Sequence, residues 1–190
     1  MTRAFLIVAL LAAVPFASCS APNTRRPPGD SPPASETPRY ESKATRTSPA
    51  STFNGRVMSV VDGDTIVVLD AQRSYEIRLQ GIDAPEGGQA FGGRSSQNLS
   101  DLIAEKEVTV TWHKRDRYRR IVGEVSINGR DICLEQIKAG MAWHYKYYQS
   151  EQTPEDRALY ADAEVEARAS RRGIWTDASP IAPWDFRNRR

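Results

Sequence analysis

Large apolar residues are almost absent from residues 20–52 and return in short, regular runs from Phe53 onward. Residues 56–61 read as a strand, and Asp62-Gly63 marks a tight turn after it. The run Thr65-Ile66-Val67-Val68-Leu69 is apolar on both faces, which places it inside a sheet rather than at its edge. Residues 70–74 turn the chain. Tyr75, Ile77 and Leu79 then alternate with Glu76, Arg78 and Gln80. That period of two buries one face and leaves Arg78 on the other. Glycines at 87, 88, 92 and 93 break the pattern. A helix follows over 94–105, with Leu99, Leu102 and Ile103 on one face. Residues 108–112 and 120–127 read as a fourth and a fifth strand, and Asn128-Gly129 is a turn. Asp131 is placed to cap a helix over 134–139 that Gly140 stops, and Thr153-Pro154 to open a long helix over 154–172 that Gly173 stops. Five short strands, a helix after the third and two more helices predict a mainly β, α+β fold: a small closed barrel with helices to one side.

The chain outside 53–177 has a different composition. Residues 1–19 carry Arg3, an apolar run too short to span a bilayer with ease, and Phe16-Ala17-Ser18-Cys19, the pattern of an export signal ending in a lipobox, with Phe16 where an aliphatic residue is usual. We expect Cys19 to be lipidated and the protein to sit in the cell envelope; plain secretion is the competing reading. Residues 20–52 are rich in Pro, Ser and Thr and read as a disordered tether. Residues 178–190 form a Pro- and Arg-containing tail that predicts no element. The formal net charge of +2 names no partner. Locally, His113 to Arg120 sets five Lys and Arg around Asp116. Cys19 and Cys133 offer neither a disulfide framework nor a zinc spacing, and Cys133, between Ile132 and Leu134, reads as a small buried hydrophobe.

The candidate chemistry lies around the first three strands. Asp62 and Asp64 flank a glycine at a hairpin corner, and Asp83 and Glu86 follow in a Pro/Gly loop. Either pair alone is ordinary turn composition. Together they matter, because a hairpin brings the start of the second strand beside the end of the third, where Asp64 and Asp83 meet. Two carboxylates there repel each other unless a cation lies between them. Oxygen donors, including a carbonyl near Pro85, suit a hard ion such as Ca²⁺. Arg78 and Arg120, from different elements, suit a phosphate and the added charge of its transition state. Tyr118 is a candidate for stacking on a sugar or base.

The ordered set Asp62-Gly63-Asp64-Thr65, Arg78, Asp83-Ala84-Pro85-Glu86, Asp116-Arg117-Tyr118-Arg119-Arg120, 138–143 and Gly173-Ile174-Trp175 resembles the staphylococcal nuclease-like (thermonuclease) family over roughly 56–175. The resemblance implies a five-stranded OB-fold-type barrel with three helices. It implies Ca²⁺ held by Asp64, Asp83 and the Ala84 carbonyl, with Asp62 behind these ligands. It implies Glu86 as general base or water-orienting group, and Arg78 and Arg120 on the phosphate. It implies endonucleolytic cleavage of DNA and/or RNA to 3′-phosphates, and a monomer is the default expectation for the chain. Ala84 replaces a common Thr, Arg119 a common Gly, and Lys146 one of two nucleotide-contacting tyrosines, the other being Tyr148. The Arg119 replacement predicts a changed loop that displaces Arg120. A catalytically silent nucleic-acid-binding lipoprotein is the alternative, and the full set of acids and arginines speaks against it.

Overall fold

The computed structural model describes residues 50–189. The export signal, Cys19 and the tether up to residue 49 lie outside the described residues. Strand β1, Ser51–Val60, is long enough to pair at its far end with β2, Thr65–Leu69, and at its near end with β5, Glu107–Arg115. It starts five residues before the predicted strand, so Ser51 and Thr52, read as tether, pair with Trp112 and Thr111. Strand β3, Ser74–Leu79, is antiparallel to β2, and β6, Ile121–Ile127, is antiparallel to β5. The barrel closes where β3 runs parallel to β6, with Ile77 opposite Ile121 and Leu79 opposite Gly123. Five strands thus form a closed barrel, and β7, Arg130–Asp131, adds a short sixth to its edge. Closure leaves these strands without the free edges that invite association.

The pleat follows the sequence. Ile77 and Leu79 are buried and Arg78 lies on the opposite face, as period two requires. Ile66, Val68, Val110, Ile121 and Val125 fill the barrel, each fully removed from water. Two helices close it: α1, Gly92–Ile103, inserts Leu99 and Ile103, and α2, Ile132–Lys138, inserts Ile132, Cys133 and Ile137. Asp131 caps α2 by accepting from the Leu134 amide at 3.2 Å, and Thr153 caps α3, Pro154–Ala169, by accepting from the Asp156 amide at 3.0 Å. Both caps were legible as residues, although α2 starts two residues earlier and α3 stops three residues sooner than their patterns predict.

The far end of the chain departs from expectation. A second apolar cluster, Trp143, Ala167, Ile174, Trp175 and Ala182, gathers below the barrel. It is locked by a backbone crossing in which Ile174 donates to the Gly140 carbonyl at 2.8 Å. A Cβ on Gly173 would fall 2.1 Å from that carbonyl oxygen, so the crossing admits only glycine there. The tail, read as featureless, forms α4, Pro183–Arg187. There are therefore four α-helices among the described residues, where three were predicted.

One glycine bears directly on the turn that carries Asp62 and Asp64. Gly63 lies against α1, and a Cβ there would fall 2.0 Å from Ser95 Oγ and 2.7 Å from Ala84 Cβ. Its carbonyl accepts from buried Gln136 Nε2 at 2.7 Å, so α1 and α2 together brace the turn between Asp62 and Asp64. Gly63→Ala is expected to lower unfolding free energy by about 1–3 kcal/mol, the range for overpacking a filled interior, read as a lower urea midpoint at unchanged slope. An unchanged midpoint would show that the turn has slack.

Candidate active site

The turn that carries the first acids is built from its own polar groups. Val61 and Asp62 amides both donate to the Thr65 carbonyl, and Asp62 Oδ1 accepts from the Asp64 amide at 3.0 Å. This self-bonding holds Asp64 pointing inward, only 6% exposed. The second acid arrives on β4, Ile82–Asp83, which pairs with β8, Trp143–His144. Asp83 is 1% exposed. The two acids are tied through their neighbours: the Ala84 amide donates to Asp64 Oδ2 at 2.6 Å.

Arg78 is the clamp between them. Its Nε lies 3.1 Å from Asp64 Oδ1 and its Nη2 2.9 Å from Asp83 Oδ1. Its Nη1 donates to the Leu79 and Ile82 carbonyls at 2.7 and 2.9 Å, which fixes the guanidinium plane. Burial pushes the Asp64 carboxyl up to about 7, against the pull of Arg78, with Asp62 and Asp83 adding repulsion. Arg78 therefore does not offset the cost of burying Asp64, and further positive charge beside it would be favoured. Among the described residues no three Asp, Glu, His or Cys side chains form a ready-made metal cluster. A cation here would rest on two carboxylates completed by carbonyl and water oxygens, a donor set that fits a large, hard ion.

Glu86 and Arg120 face the same cleft, a cavity of about 500 Å³ that also takes in Asp62, Ala84, Tyr118 and Tyr148. Arg120 Nε pairs with Asp116 Oδ2 at 2.8 Å, and its Nη1 lies 3.5 Å from Thr65 Oγ. Burial raises Asp116, but hydrogen bonds from the Arg120 side chain and backbone outweigh it and hold the carboxyl below its ordinary value. Arg119 stands at φ 68°, the left-handed backbone that the replaced glycine would favour. The loop thus accepts a strained residue, and Arg120 remains at the cleft. Tyr118 and Tyr148 are 64% and 44% exposed at the rim, where a flat base can stack.

Ten of the eleven expected site residues lie within the described chain, and nine of those ten line this one cleft. Lys146 does not: its ammonium pairs with Glu164. Tyr145, one residue earlier, faces the cleft instead. The Tyr145 amide donates to the Gly81 carbonyl at 2.8 Å, which extends the β4–β8 pairing and sets which neighbour turns inward. Arg187, the last residue of α4, is also in the cleft. Its Nη2 is 2.8 Å from Asp83 Oδ2 and its Nη1 2.7 Å from Glu86 Oε1. In the sequence its basic character was visible, but its place was not.

The chain has relatives among known proteins. A family model described as staphylococcal nuclease homologue matches residues 76–177. An uncharacterized endonuclease of Escherichia coli is 41% identical over 139 residues, covering 73% of this chain and 87% of that protein. A micrococcal nuclease of Shigella flexneri is 43% identical over 144 residues, covering 71% of this chain and 80% of its own. An uncharacterized endonuclease of Haemophilus influenzae is 40% identical over 133 residues, covering 70% and 71%.

The buried acid has a pH signature. Asp64 titrates at its ordinary 3.8 when unfolded and at about 7 in the fold, so between those values the folded state holds a proton that the unfolded state has lost. Its contribution to stability therefore falls as pH rises from about 4 to 7 and then levels off. In chelator, Asp64→Asn is expected to lose less stability than wild type between pH 5 and pH 8 in urea unfolding. An equal loss in both would show that Asp64 ionises freely.

Proposed function

We propose, on the premise that this chain belongs to the staphylococcal nuclease family and is a nuclease, that it is a Ca²⁺-dependent endonuclease acting on DNA and/or RNA. The observation that carries this is the convergence of Asp64, Asp83, Arg78, Glu86 and Arg120 on one cleft edged by exposed tyrosines. When bound, Ca²⁺ supplies charge neutralisation and polarises the phosphate. Asp64, Asp83 and the Ala84 carbonyl would hold it, with Asp62 behind these ligands. The Gln136–Gly63 and Ala84–Asp64 hydrogen bonds keep Asp64 in place.

The remaining work belongs to side chains. Water is a poor nucleophile and a phosphodiester is already negative, so rate comes from orienting or deprotonating the water and from offsetting charge in the transition state. Glu86 is the acid outside the Arg78 clamp, 35% exposed and three residues beyond Asp83, and it orients or deprotonates the water. Arg78 and Arg120 offer planar donors to non-bridging phosphate oxygens. Tyr118, Tyr148 and Tyr145 form the platform for the flanking nucleotide. Lys114, whose ammonium lies 4.7 Å from the Tyr148 ring centre, adds positive charge along the strand's path.

At the other end of the chain, Cys19 carries lipid and holds the domain in the cell envelope on the 20–52 tether. The support for this is the sequence pattern of 1–19. Cys19→Ala is expected to release the protein or leave it unprocessed; a mature, lipid-free N-terminus elsewhere than Cys19 would reject the anchor.

The catalytic reading is tested with plasmid DNA at saturating concentration and fixed salt. Cleavage is expected with Ca²⁺, poorly with Mg²⁺ and not in chelator. Glu86→Gln is expected to lower kcat by roughly 10²-fold or more with little change in DNA binding, the range of a lost general base. Near wild-type kcat in Glu86→Gln, or full activity in chelator, would overturn it.

A further inference from the structure

Arg187 lies ten residues beyond the end of the family match, yet it makes three contacts with the acids of the cleft. Its Nη2 and Nη1 span both Asp83 oxygens at 2.8 and 3.3 Å, and Nη1 also reaches Glu86. Asp83 has almost no contact with water, so this is a charge-assisted fork on a desolvated carboxylate. The helix that delivers it is seated firmly. Trp184 stacks on Tyr145 with ring centres 5.4 Å apart and meets Trp143 edge-on at 6.4 Å. Ala182 is buried in the lower core, and Gln89 Nε2 donates to the Ile181 carbonyl at 2.5 Å.

We infer that Arg187 is a built-in counter-ion that competes with the divalent cation for Asp83 and thereby sets the cation affinity of the site. This inference rests on the reading of Asp64 and Asp83 as cation ligands. The guanidinium takes both oxygens of Asp83, and any ion coordinated by Asp83 needs at least one of them. Two positive charges on one desolvated carboxylate repel each other, so each occupant weakens the other's hold. Arg78 does not compete in the same way, because its Nη1 is anchored on two carbonyls and its fork divides between two acids. The same departure frees Glu86, whose Oε1 accepts from the same Arg187 nitrogen. Cation binding and the release of the acid that handles water are therefore one event. Arg187 is a positioning residue: it acts through Asp83 and Glu86. Its effect follows from occupancy, since apparent affinity falls in proportion to the fraction of molecules whose site is open.

The test uses the protein with no nucleic acid present. Calcium affinity is measured by isothermal titration calorimetry for wild type, Arg187→Gln and Arg187→Lys, and unfolding midpoints are measured in chelator. Arg187→Gln is expected to bind Ca²⁺ about tenfold tighter, the change for a fork closed nine-tenths of the time, while its midpoint in chelator falls because Asp83 and Glu86 lose their partner. Arg187→Lys keeps the charge without the fork and is expected to fall between the two. These opposite signs separate competition from a structural role, which lowers the midpoint without tightening the ion. Wild type binding Ca²⁺ with Arg187→Gln equal or weaker overturns the inference and leaves the cation site standing. If neither protein binds Ca²⁺, and Asp83→Asn changes nothing, both the inference and the cation site fall.

Discussion

Two like charges held out of water within one fold is the constraint around which this molecule is arranged. Asp64 and Asp83 are each less than a tenth exposed, and burial alone drives the Asp64 carboxyl toward its neutral form. Every element near them answers that cost. The Asx-type turn at Asp62 aims the first acid, and a two-stranded ribbon brings the second. The Arg78 guanidinium spans both, with a third edge spent on carbonyls so that it cannot swing away. The barrel supplies the rigidity, since Arg78 sits on the very strand, β3, through which the barrel closes. An acid pair on a loose loop would relax into solvent and lose the field that makes it useful.

Much of this was legible in the chain. Period-two alternation around Ile77 and Leu79, the doubly apolar run from Thr65 to Leu69 and the caps at Asp131 and Thr153 are local signals, and local signals survive folding. The acids and both arginines were legible as a set because their order along the chain follows the order of the strands. What escaped was long-range. Arg187 meets Asp83 across 104 positions, and no periodicity in a short Pro-containing segment announces such a contact. The ribbon of β4 and β8 is two residues a side, too short to leave a pattern. It decides that Tyr145 and not Lys146 turns toward the acids. A one-residue offset in an extended segment reverses every side chain, so which of two neighbours faces the acids is set by that short pairing.

Arg119 illustrates how a fold absorbs a locally unfavourable residue. A side chain in the left-handed region costs on the order of 1 kcal/mol. The loop repays this with bonds that need that conformation: Asp116 Oδ1 accepts from the Tyr118 and Arg120 amides, and Arg115 donates to the Arg119 carbonyl at 2.7 Å. The conformation is thus fixed by Asp116 more than by the residue that adopts it, and Arg120 lies at the cleft.

The β3–β6 seam has a consequence in time. Its two strands are parallel, so no hairpin can nucleate them, and the chain must first traverse α1 and lay β5 against β1 before Ile77 finds Ile121. Contacts of this separation form late because the intervening loop must be ordered first. Arg78 lies in that seam, opposite Val122. Until it closes, the strand that carries Arg78 is not fixed between Asp64 and Asp83. The Arg78 clamp on the two acids is therefore among the last features the folding chain acquires, and a newly made molecule lacks it until its barrel is complete.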